Sequence, residues 1–435
     1  MSTTNPQTTD KLRICVVSNY YPPFSIGGYE LGCSDIVEAL KRRGHQVKVL
    51  TSTYSLAAPQ EDGSVYRWLK LLDWWSPDSF RSMSEVLKKE IGNQRAFKKL
   101  CREFNPHVVY MWNPVNISLS LVSVAQRLGL PVTYFVSDHW VEDWESDLGY
   151  RIWREYPTRL HRRLFWKALL ASLRLSGILR PPAPPDFRHT HFVSEHLKQQ
   201  ALNKGKPVTQ ASVVHWGVDV KRFHGAERSK HLKRLLYVGQ FAEHKGVHTA
   251  VEALKVLVRN GHESTTLTIA GSSAAQQYQT RIREMVSSWG LEEHVQFTGH
   301  LSRDQVASVY AEHDVLIFPS VWDEPFSITV LEAMASGLAV VGTATGGSSE
   351  ILRDGINALV FPKEDAESCA RCVARLFDDP KLFDEISRNG RRTIEQKYRI
   401  EQMVDTIENS LTKFAFSSAA RKDERVPLAA TSAQP

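Results

Sequence analysis

The sequence predicts an α/β protein made of two successive domains, each built around a parallel sheet. Short apolar runs alternate with helical patterns, as expected for repeated β-α-β units. The alternation restarts after a polar, basic stretch near residues 221–232, which has the character of a domain join. The length of 435 residues suits two or three domains, and 42% hydrophobic with 23% charged residues is ordinary for a globular chain.

The predicted strands fall into two groups. Those of the first half are residues 12–18, 45–51, 108–112, 132–136, 191–194 and 212–215. Those of the second half are residues 234–239, 266–270, 294–298, 315–319, 338–342 and 358–361. Helical patterns fill most of the gaps, including residues 30–43, 247–259 and 276–289.

These patterns predict five segments along the chain. They are a disordered start (1–11), a first domain (12–222), a second domain (223–395), a helix (396–416) and a disordered tail (417–435). The tail is rich in Ala, Ser, Pro and charge, a composition that does not support a packed core.

Composition and charge exclude several classes. No apolar run approaches the ~20 residues of a spanning helix, and residues 1–11 lack the apolar region of a secretory signal. We therefore expect a cytoplasmic protein. The net charge of +6 is modest and does not indicate nucleic-acid binding. Cys369 and Cys372 fall in a helical pattern without a second pair of ligands, which favours ordinary thiols over a metal site.

One segment departs from the alternation. Residues 151–188 contain nine Lys and Arg against two acidic residues, and apolar side chains recur at helical spacing. These apolar positions are Leu160, Leu164, Ala168, Ala171 and Leu175. A basic amphipathic helix of this kind either lies in an anionic membrane surface or packs on its own domain with a solvated basic face. The first alternative would give the protein a peripheral position at the inner face of the membrane.

The residues after the strand 315–319 suit an anionic ligand. A helix is predicted to begin near Ser327, and its first backbone N–H groups, at Ser327, Ile328 and Thr329, point outward with the helix dipole. Glu324 precedes this site and Glu332 lies one to two turns into the helix. Two carboxylates flanking an anion site suit a ligand with a diphosphate between two hydroxyl-bearing ends. On spacing alone, ordinary solvated charges remain the simpler interpretation.

Two further loops follow strands and precede helices. Lys245 would place a positive charge beside a phosphate, although a surface lysine is the simpler interpretation on its own. Gly27 and Gly28 open the first helix, where paired glycines let a ligand approach the backbone closely. The spacing is not that of the dinucleotide fingerprint, so a dehydrogenase is disfavoured.

The segment E-P-F-S-I-T-V-L-E-A-M-A-S-G, from Glu324 to Gly337, resembles the Glu-x7-Glu signature of family 4 retaining glycosyltransferases. Other family motifs follow the same order along residues 12–415. The loop that ends in Lys245 resembles the donor-diphosphate loop, and F-T-G-H-L from Phe297 resembles the loop near the nucleotide base. His215 begins a turn, H-W-G-V-D, similar to the family turn before the interdomain linker.

The resemblance implies the GT-B fold, with two Rossmann-like domains facing across a cleft and a last helix that crosses back to the first domain. It implies a nucleotide-diphosphate sugar as co-substrate in the second domain and a glycan or lipid-linked acceptor in the first. The donor-side residues that it implies are Gly27, Gly28, Gln240, Lys245, Gly299, His300, Glu324, Phe326, Ser327, Ile328, Thr329 and Glu332.

Two positions depart from the family pattern. Gln240 stands where the family usually has an arginine, which removes a charged donor unless His244 or another cation substitutes. Ser137 stands where the family often has a histidine, so Asp138 and His139 are the matching candidates near the reacting sugar.

The implied reaction is glycosyl transfer with retention of anomeric configuration, without a metal ion or a further cofactor. Two alternatives remain open at this point. One is a sugar-nucleotide epimerase or hydrolase of the same fold, and the other is a non-catalytic, membrane-associated sugar-nucleotide binder.

Overall fold

The protein is described by a computed structural model that covers residues 11–24, 27–73, 76, 78–223, 233–271 and 276–423. The chain divides into two compact units. Unit 1 comprises residues 1–192, 198–214 and 404–435, and unit 2 comprises residues 193–197 and 215–403. The long continuous part of unit 2 therefore begins at His215, ahead of the boundary predicted at 222. Ser25, Ile26 and most of the predicted join and termini lie outside the described residues.

The first half of the chain alternates strands and helices. In chain order these are β1 Arg13–Ser18, α1 Gly28–Arg42, β2 Gln46–Ser52, β3 Gln60–Asp62, β4 Val65–Leu69, α2 Phe80–Phe104, β5 Val108–Asn113, α3 Ser120–Arg127, β6 Val132–Val136, α4 Leu148–Arg154, α5 Leu160–Leu175, β7 Thr190–Phe192, α6 Glu195–Asn203 and β8 Ser212–Val213.

The sheet of unit 1 has the strand order β3-β4-β2-β1-β5-β6-β7-β8. All neighbours pair in parallel except β3 with β4, which are antiparallel. The central strands are buried on both faces, which is why they read as continuous apolar runs. The edge pair β3 and β4 was not predicted, because β3 is polar and fully exposed and β4 carries the half-exposed Val65, Tyr66 and Trp68.

The second half repeats the pattern. Its elements are β9 Arg234–Val238, α7 Val247–Arg259, β10 Thr266–Ala270, α8 Gln276–Ser288, β11 Val295–Gly299, α9 Arg303–Glu312, β12 Val315–Phe318, α10 Ile328–Ala335, β13 Ala339–Gly342, β14 Leu359–Val360, α11 Ala366–Asp378, α12 Pro380–Lys397 and α13 Ile400–Asp423. The sheet order is β11-β10-β9-β12-β13-β14, and every pair is parallel. The prediction of two parallel α/β domains is confirmed.

The basic segment contains the end of α4 and the whole of α5, and the five apolar positions singled out from the sequence do not form the packing face of α5. α5 buries Trp166 and Leu170 against unit 1, where they join a core cluster with α2 and α4. The five apolar positions singled out from the sequence are all exposed, with Leu160 at 70% and Leu175 at 89%. The helix therefore packs through its other face, which carries Trp166 and Leu170.

The last helix continues further than predicted. α13 runs to Asp423, so the disordered tail predicted from residue 417 is wrong as far as Asp423. From residue 404 the chain belongs to unit 1. Glu408 on this helix bonds His45 at 2.7 Å and also pairs with Arg43, which ties α13 to the end of α1. Residues 424–435 lie outside the described part of the chain.

The structure also locates Cys369 and Cys372 and bears on metal binding and membrane-spanning helices. Cys369 and Cys372 are free thiols on α11, the first buried and the second half-buried. Among the described residues, no group of three His, Cys, Asp or Glu side chains is placed to hold a metal ion. None of the helices formed by those residues combines the length and the apolar character needed to cross a bilayer.

Candidate active site

The carboxylate of Glu324 and the ammonium of Lys245 form an ion pair in unit 2. The Lys245 Nζ donates to both carboxylate oxygens, at 2.7 and 2.9 Å, and the Ser320 hydroxyl donates to Oε1 at 2.7 Å. Glu324 is only 5% exposed. Three hydrogen bonds therefore hold an almost buried carboxylate, and the structure brings together two residues that are 79 positions apart in the sequence.

Close backbone approaches position this pair. Gly246 has a φ of +70°, and a Cβ there would lie 2.0 Å from the Pro319 carbonyl oxygen. Any larger residue would push apart the loop that carries Lys245 and the loop that carries Glu324. The Val321 N–H also donates to the His244 carbonyl at 2.9 Å, and the Gly347 N–H donates to the Glu324 carbonyl at 2.6 Å. The two charged side chains thus sit on loops that are fastened to each other.

Helix α10 begins directly after this loop. Ser327 is its N-cap, and the Ser327 hydroxyl accepts the N–H of Val330 at 3.3 Å, as a serine in this position commonly does. Among the described residues, none accepts the backbone N–H of Ile328 or of Thr329. The two groups remain available at the positive end of the helix dipole, a few residues from the Lys245–Glu324 pair.

Glu332 lies within α10 and is half-buried. The hydroxyl of Tyr310 donates to its Oε2 at 3.3 Å and lies at the same distance from the Thr329 carbonyl. Burial and the neighbouring Glu332 raise the pKa of Tyr310, so the phenol stays protonated and can act as a donor. The second carboxylate of the signature is therefore oriented by a tyrosine from α9.

The loop after β9 carries no second cation at neutral pH. The Gln240 side chain is exposed, and the backbone carbonyl of Gln240 accepts a hydrogen bond from the Tyr237 hydroxyl at 2.8 Å. Burial and the adjacent Lys245 lower the pKa of His244 below its ordinary value of 6.5. The lowered pKa favours the neutral form of His244, which lacks the positive charge of the arginine that the family usually has at position 240.

The remaining donor-side candidates lie at the same edge of the sheet. Gly299 ends β11 with a φ of +73°, a conformation that favours glycine, and His300 follows it with an exposed side chain. Phe326 is buried and stacks on His215, with ring centroids 5.1 Å apart. Because all six strands are parallel, the loops after β9, β11 and β12 share the carboxyl edge of the sheet, where ligands of such sheets bind.

Glu350 is a site-supporting residue whose role the sequence did not reveal. Its carboxylate accepts His215 Nε2 at 2.7 Å and the backbone N–H groups of Glu195 and His196 at 3.2 and 2.9 Å. Burial alone would raise its pKa, but these hydrogen bonds hold the pKa of Glu350 below its ordinary value. The carboxylate thereby fixes the His215 ring against Phe326.

In unit 1, polar side chains gather at the carboxyl ends of three neighbouring strands. Asn19 follows β1, Asn113 ends β5 and Asp138 follows β6. The Tyr29 hydroxyl donates to Asn19 Oδ1 at 2.7 Å, and Asn113 Nδ2 donates to Asp138 Oδ2 at 2.9 Å. Burial raises the pKa of Asp138, partly offset by hydrogen bonds from the Trp140 N–H and Asn113. We call Asn19, Tyr29, Asn113 and Asp138 the unit 1 polar cluster.

The predicted N-terminal site residues divide between two places. Gly27 and Gly28 lie beside the polar cluster, since Tyr29 is the next residue and the Gly27 N–H donates to the buried Glu30 at 3.0 Å. His139 points elsewhere. Its Nδ1 lies 2.6 Å from Glu142 Oε1, and Glu142 also pairs with Lys204 at 3.0 Å. Asp138 and His139 are therefore adjacent in sequence but do not form one catalytic pair.

The sequence contains a signal that identifies the missed residues of the cluster. Asn19 and Asn113 each stand at the end of a strongly apolar strand, where polar side chains of a parallel sheet converge. Tyr29 adjoins the paired glycines. The assembly of the cluster, however, depends on the pairing of β1 with β5, which places the backbones of Asn19 and Asn113 together although they are 94 residues apart along the chain.

Two family models match consecutive parts of the chain. Glycosyltransferase Family 4 matches residues 26–222, and Glycosyl transferases group 1 matches residues 220–393. The glycogen synthase of Mycobacterium tuberculosis is 30% identical over 421 residues, covering 88% of this chain and 90% of that protein. The chain belongs to the group 1, family 4 glycosyltransferases.

Solved structures show that this glycosyltransferase has the GT-B fold. A sucrose-phosphate synthase from Thermosynechococcus elongatus superposes with a TM-score of 0.69 at 20% identity. The superposition covers 94% of this chain and 100% of the synthase chain. Anabaena HepE, in a structure with UDP-glucose, gives a TM-score of 0.63 at 16% identity and covers 92% of this chain and 100% of its own. The fold predicted from the resemblance is confirmed.

Proposed function

We propose that this glycosyltransferase takes a sugar from a nucleotide-diphosphate sugar and transfers it to a glycan or lipid-linked acceptor with retention of anomeric configuration. The observation that carries the proposal is the Lys245–Glu324 pair beside the start of α10. It combines a cation on the loop after β9 with an almost buried carboxylate and two available backbone N–H groups on the loop after β12 and the first turn of α10. These are the groups needed to bind a diphosphate that carries a sugar.

The diphosphate would bind to the start of α10. The N–H groups of Ile328 and Thr329 donate to a phosphate, and the helix dipole favours its charge. Lys245 lies close enough to Glu324 to share its ammonium between the carboxylate and a bound phosphate oxygen. The positive groups then act where charge develops as the sugar–phosphate bond breaks.

The two carboxylates would bind the ends of the donor. Glu324 can accept hydrogen bonds from sugar hydroxyls, because Lys245 and Ser320 use only part of its acceptor capacity. Glu332, oriented by Tyr310, would accept from ribose hydroxyls. Gly299, His300 and Phe326 would border the nucleotide at the same edge of the sheet, and Gln240 would donate to the diphosphate as a neutral group.

In the proposed reaction, the bond between the anomeric carbon and the diphosphate oxygen breaks, and a bond to the acceptor oxygen forms on the same face of the sugar. The acceptor hydroxyl loses its proton, and the nucleoside diphosphate leaves with the electron pair of the broken bond. Lys245 and the α10 N–H groups supply the charge stabilisation that a metal ion gives in other enzymes, so we propose transfer without a metal or a further cofactor.

Unit 1 would supply the acceptor side. Its polar cluster places Asp138, two asparagines and a tyrosine at the carboxyl edge of its sheet, next to Gly27 and Gly28. Protonated or ionised, Asp138 can hydrogen-bond a hydroxyl-bearing acceptor. His139 contributes no direct contact in this proposal, since its ring is held by Glu142.

A ligand screen followed by one variant tests the proposal. Thermal unfolding is measured with UDP-, GDP- and ADP-sugars, and a donor at about a hundred times its Kd should stabilise the fold by roughly 3 kcal/mol. Glu324→Ala should abolish release of nucleoside diphosphate from the donor so found. Exposed Glu385→Ala on α12 is the matched control and should leave release unchanged. Unchanged turnover in Glu324→Ala, or no stabilisation by any of the sugars, contradicts the proposal.

A further inference from the structure

Helix α5 carries an apolar stripe that unit 1 leaves uncovered. At 100° per residue, Leu160, Leu164, Ala168, Ala171 and Leu175 fall within an arc of about 80°. All five are exposed. The buried Trp166 and Leu170 lie on the opposite side of the helix. We call the five residues the exposed stripe. A solvated helix face does not ordinarily carry three leucines in one line.

The surroundings of the stripe are basic. α5 has no acidic residue, and its four cations are Arg162, Arg163, Lys167 and Arg174. The last three of these fall along one border of the stripe by the same helical geometry. Phe165, which is 53% exposed, adds an aromatic ring at the opposite border. Apolar side chains bordered by cations match the interface of an anionic bilayer, where acyl chains lie beneath phosphate groups.

A second group of cations adjoins the end of α5. The chain leaves α5 through Gly177 and the exposed Ile178, buries Leu179 in the same core cluster as Trp166, and reaches Arg180. Arg180 lies near Arg127 on α3 and Lys98 on α2. Two more arginines of α2 complete what we call the basic cluster, namely Arg95, Lys98, Arg102, Arg127 and Arg180.

The cations of the basic cluster repel one another. Burial, together with the four neighbouring arginines, lowers the pKa of Lys98 below its ordinary value, and burial with Arg180 does the same for Arg127. Within the described part of the chain, none of the five forms an ion pair with a carboxylate. A surface cavity of about 300 Å³ opens on the α2 part of the cluster, with Glu103 at its border. Such a concentration of uncompensated charge would be stabilised by phosphate groups.

We propose that the exposed stripe and the basic cluster together form a docking surface for an anionic membrane, with α5 lying in the interface. The stripe enters the boundary between headgroups and acyl chains, and the cluster contacts lipid phosphates. The two features complement the two layers of one partner, whereas a soluble phosphate would leave the stripe exposed. This surface is independent of the donor site, so its test does not depend on the proposed reaction.

Co-sedimentation with vesicles tests the surface. The full chain should bind phosphatidylcholine vesicles that contain roughly one third phosphatidylglycerol and should not bind pure phosphatidylcholine. Lys98→Gln with Arg127→Gln and Arg180→Gln should weaken binding by about fivefold for each charge, or about a hundredfold together. The triple variant Leu160→Ser, Leu164→Ser and Leu175→Ser should weaken vesicle binding by more than about tenfold.

Matched controls lie on unit 2. Two control variants should alter vesicle binding by less than about twofold. One replaces three exposed cations of α12, as Lys381→Gln, Arg388→Gln and Arg392→Gln, and the other is Ile356→Ser at a side chain that is 55% exposed. Thermal unfolding of every variant confirms that it is folded, since all the positions are on the surface.

Three results would overturn the proposal. The first is that the protein binds neutral and anionic vesicles equally, or that neither the charge variant nor the serine variant binds anionic vesicles more weakly than the parent protein. The second is displacement of the protein from vesicles by millimolar inorganic phosphate at constant ionic strength, which would assign the cluster to a free anion. The third is a concentration-dependent dimer, seen by sedimentation, that the serine variant abolishes while vesicle binding persists, which would assign the stripe to a second copy of the chain.

Discussion

Lys245→Ala separates the electrostatic contribution of this lysine to transfer from its contribution to stability. Glu324 is 5% exposed in the parent protein. The substitution removes two charge-assisted hydrogen bonds from its carboxylate, and within the described part of the chain the Ser320 hydroxyl is then its remaining side-chain donor. Removing one partner of a fully buried ion pair costs about 3–5 kcal/mol. The Lys245 side chain is 24% exposed, so water replaces part of the loss. We therefore expect the free energy of unfolding to fall by about 2 kcal/mol.

The effect on transfer should be larger than the effect on folding. A donor aimed at a leaving group contributes on the order of 3 kcal/mol to the transition state, which corresponds to roughly a hundredfold in kcat/KM. Release of nucleoside diphosphate, measured with the sugar nucleotide that binds best, gives kcat and KM. Urea unfolding of the same preparations gives stability.

The chain offers a close control for this experiment. Lys363 forms an ion pair at 3.0 Å with Asp323, the residue that precedes Glu324. Both side chains of this pair are more than 40% exposed. Lys363→Ala should change stability by less than about 0.5 kcal/mol, because exposed pairs contribute little. It should leave kcat/KM within about twofold. A Lys245→Ala enzyme with kcat/KM within twofold of the parent would refute the assignment of this lysine to the leaving group.

Two other substitutions test the raised pKa of Asp147 and the missing charge at position 240. Burial raises the pKa of Asp147 from 3.8 to about 7, so the folded state binds the proton more tightly and stability falls as pH rises from about 4 to 7. Asp147→Asn should remove this pH dependence and raise the free energy of unfolding by about 2 kcal/mol at pH 8, as measured from urea midpoints. If the free energies of unfolding of the two proteins changed in parallel with pH, this prediction would be contradicted. Gln240→Arg restores the charge that the family usually has there, and it should raise kcat by about tenfold or more. An unchanged or lower kcat, with the donor Kd measured alongside, would show that position 240 does not act on the leaving group.

Much of the fold followed from periodicity. The predicted helix 247–259 coincides with α7, and the predicted strand 132–136 with β6. The buried parallel strands were recognisable because both of their faces are apolar. Strand β4, next to the edge, was missed because its burial alternates weakly, and edge strand β3 was missed because it is polar throughout.

The sequence indicated residues of the candidate site but not their contacts. The predicted helix start near Ser327 indicated an anion site with Glu324 just before it. The structure places Lys245 against Glu324 as an ion pair, which spacing does not reveal. Asp138 and His139, both predicted to lie near the reacting sugar, have separate hydrogen-bond partners in the structure for a local reason. Asp138 caps the turn that begins at His139, and the ring of His139 is held by Glu142 three residues on. The role of Glu350 depends on partners from separate segments, and no local pattern carries that information.

The path of α13 has a consequence for the order in which the protein is synthesised. Unit 1 is interrupted by unit 2 in the chain, and residues 404–423 complete it. During translation every strand of both sheets leaves the ribosome before Glu408, the residue that bonds the buried His45. The second unit can therefore reach its fold while the first still lacks its final helix, and a chain stopped near residue 400 would leave the earliest-made unit unfinished.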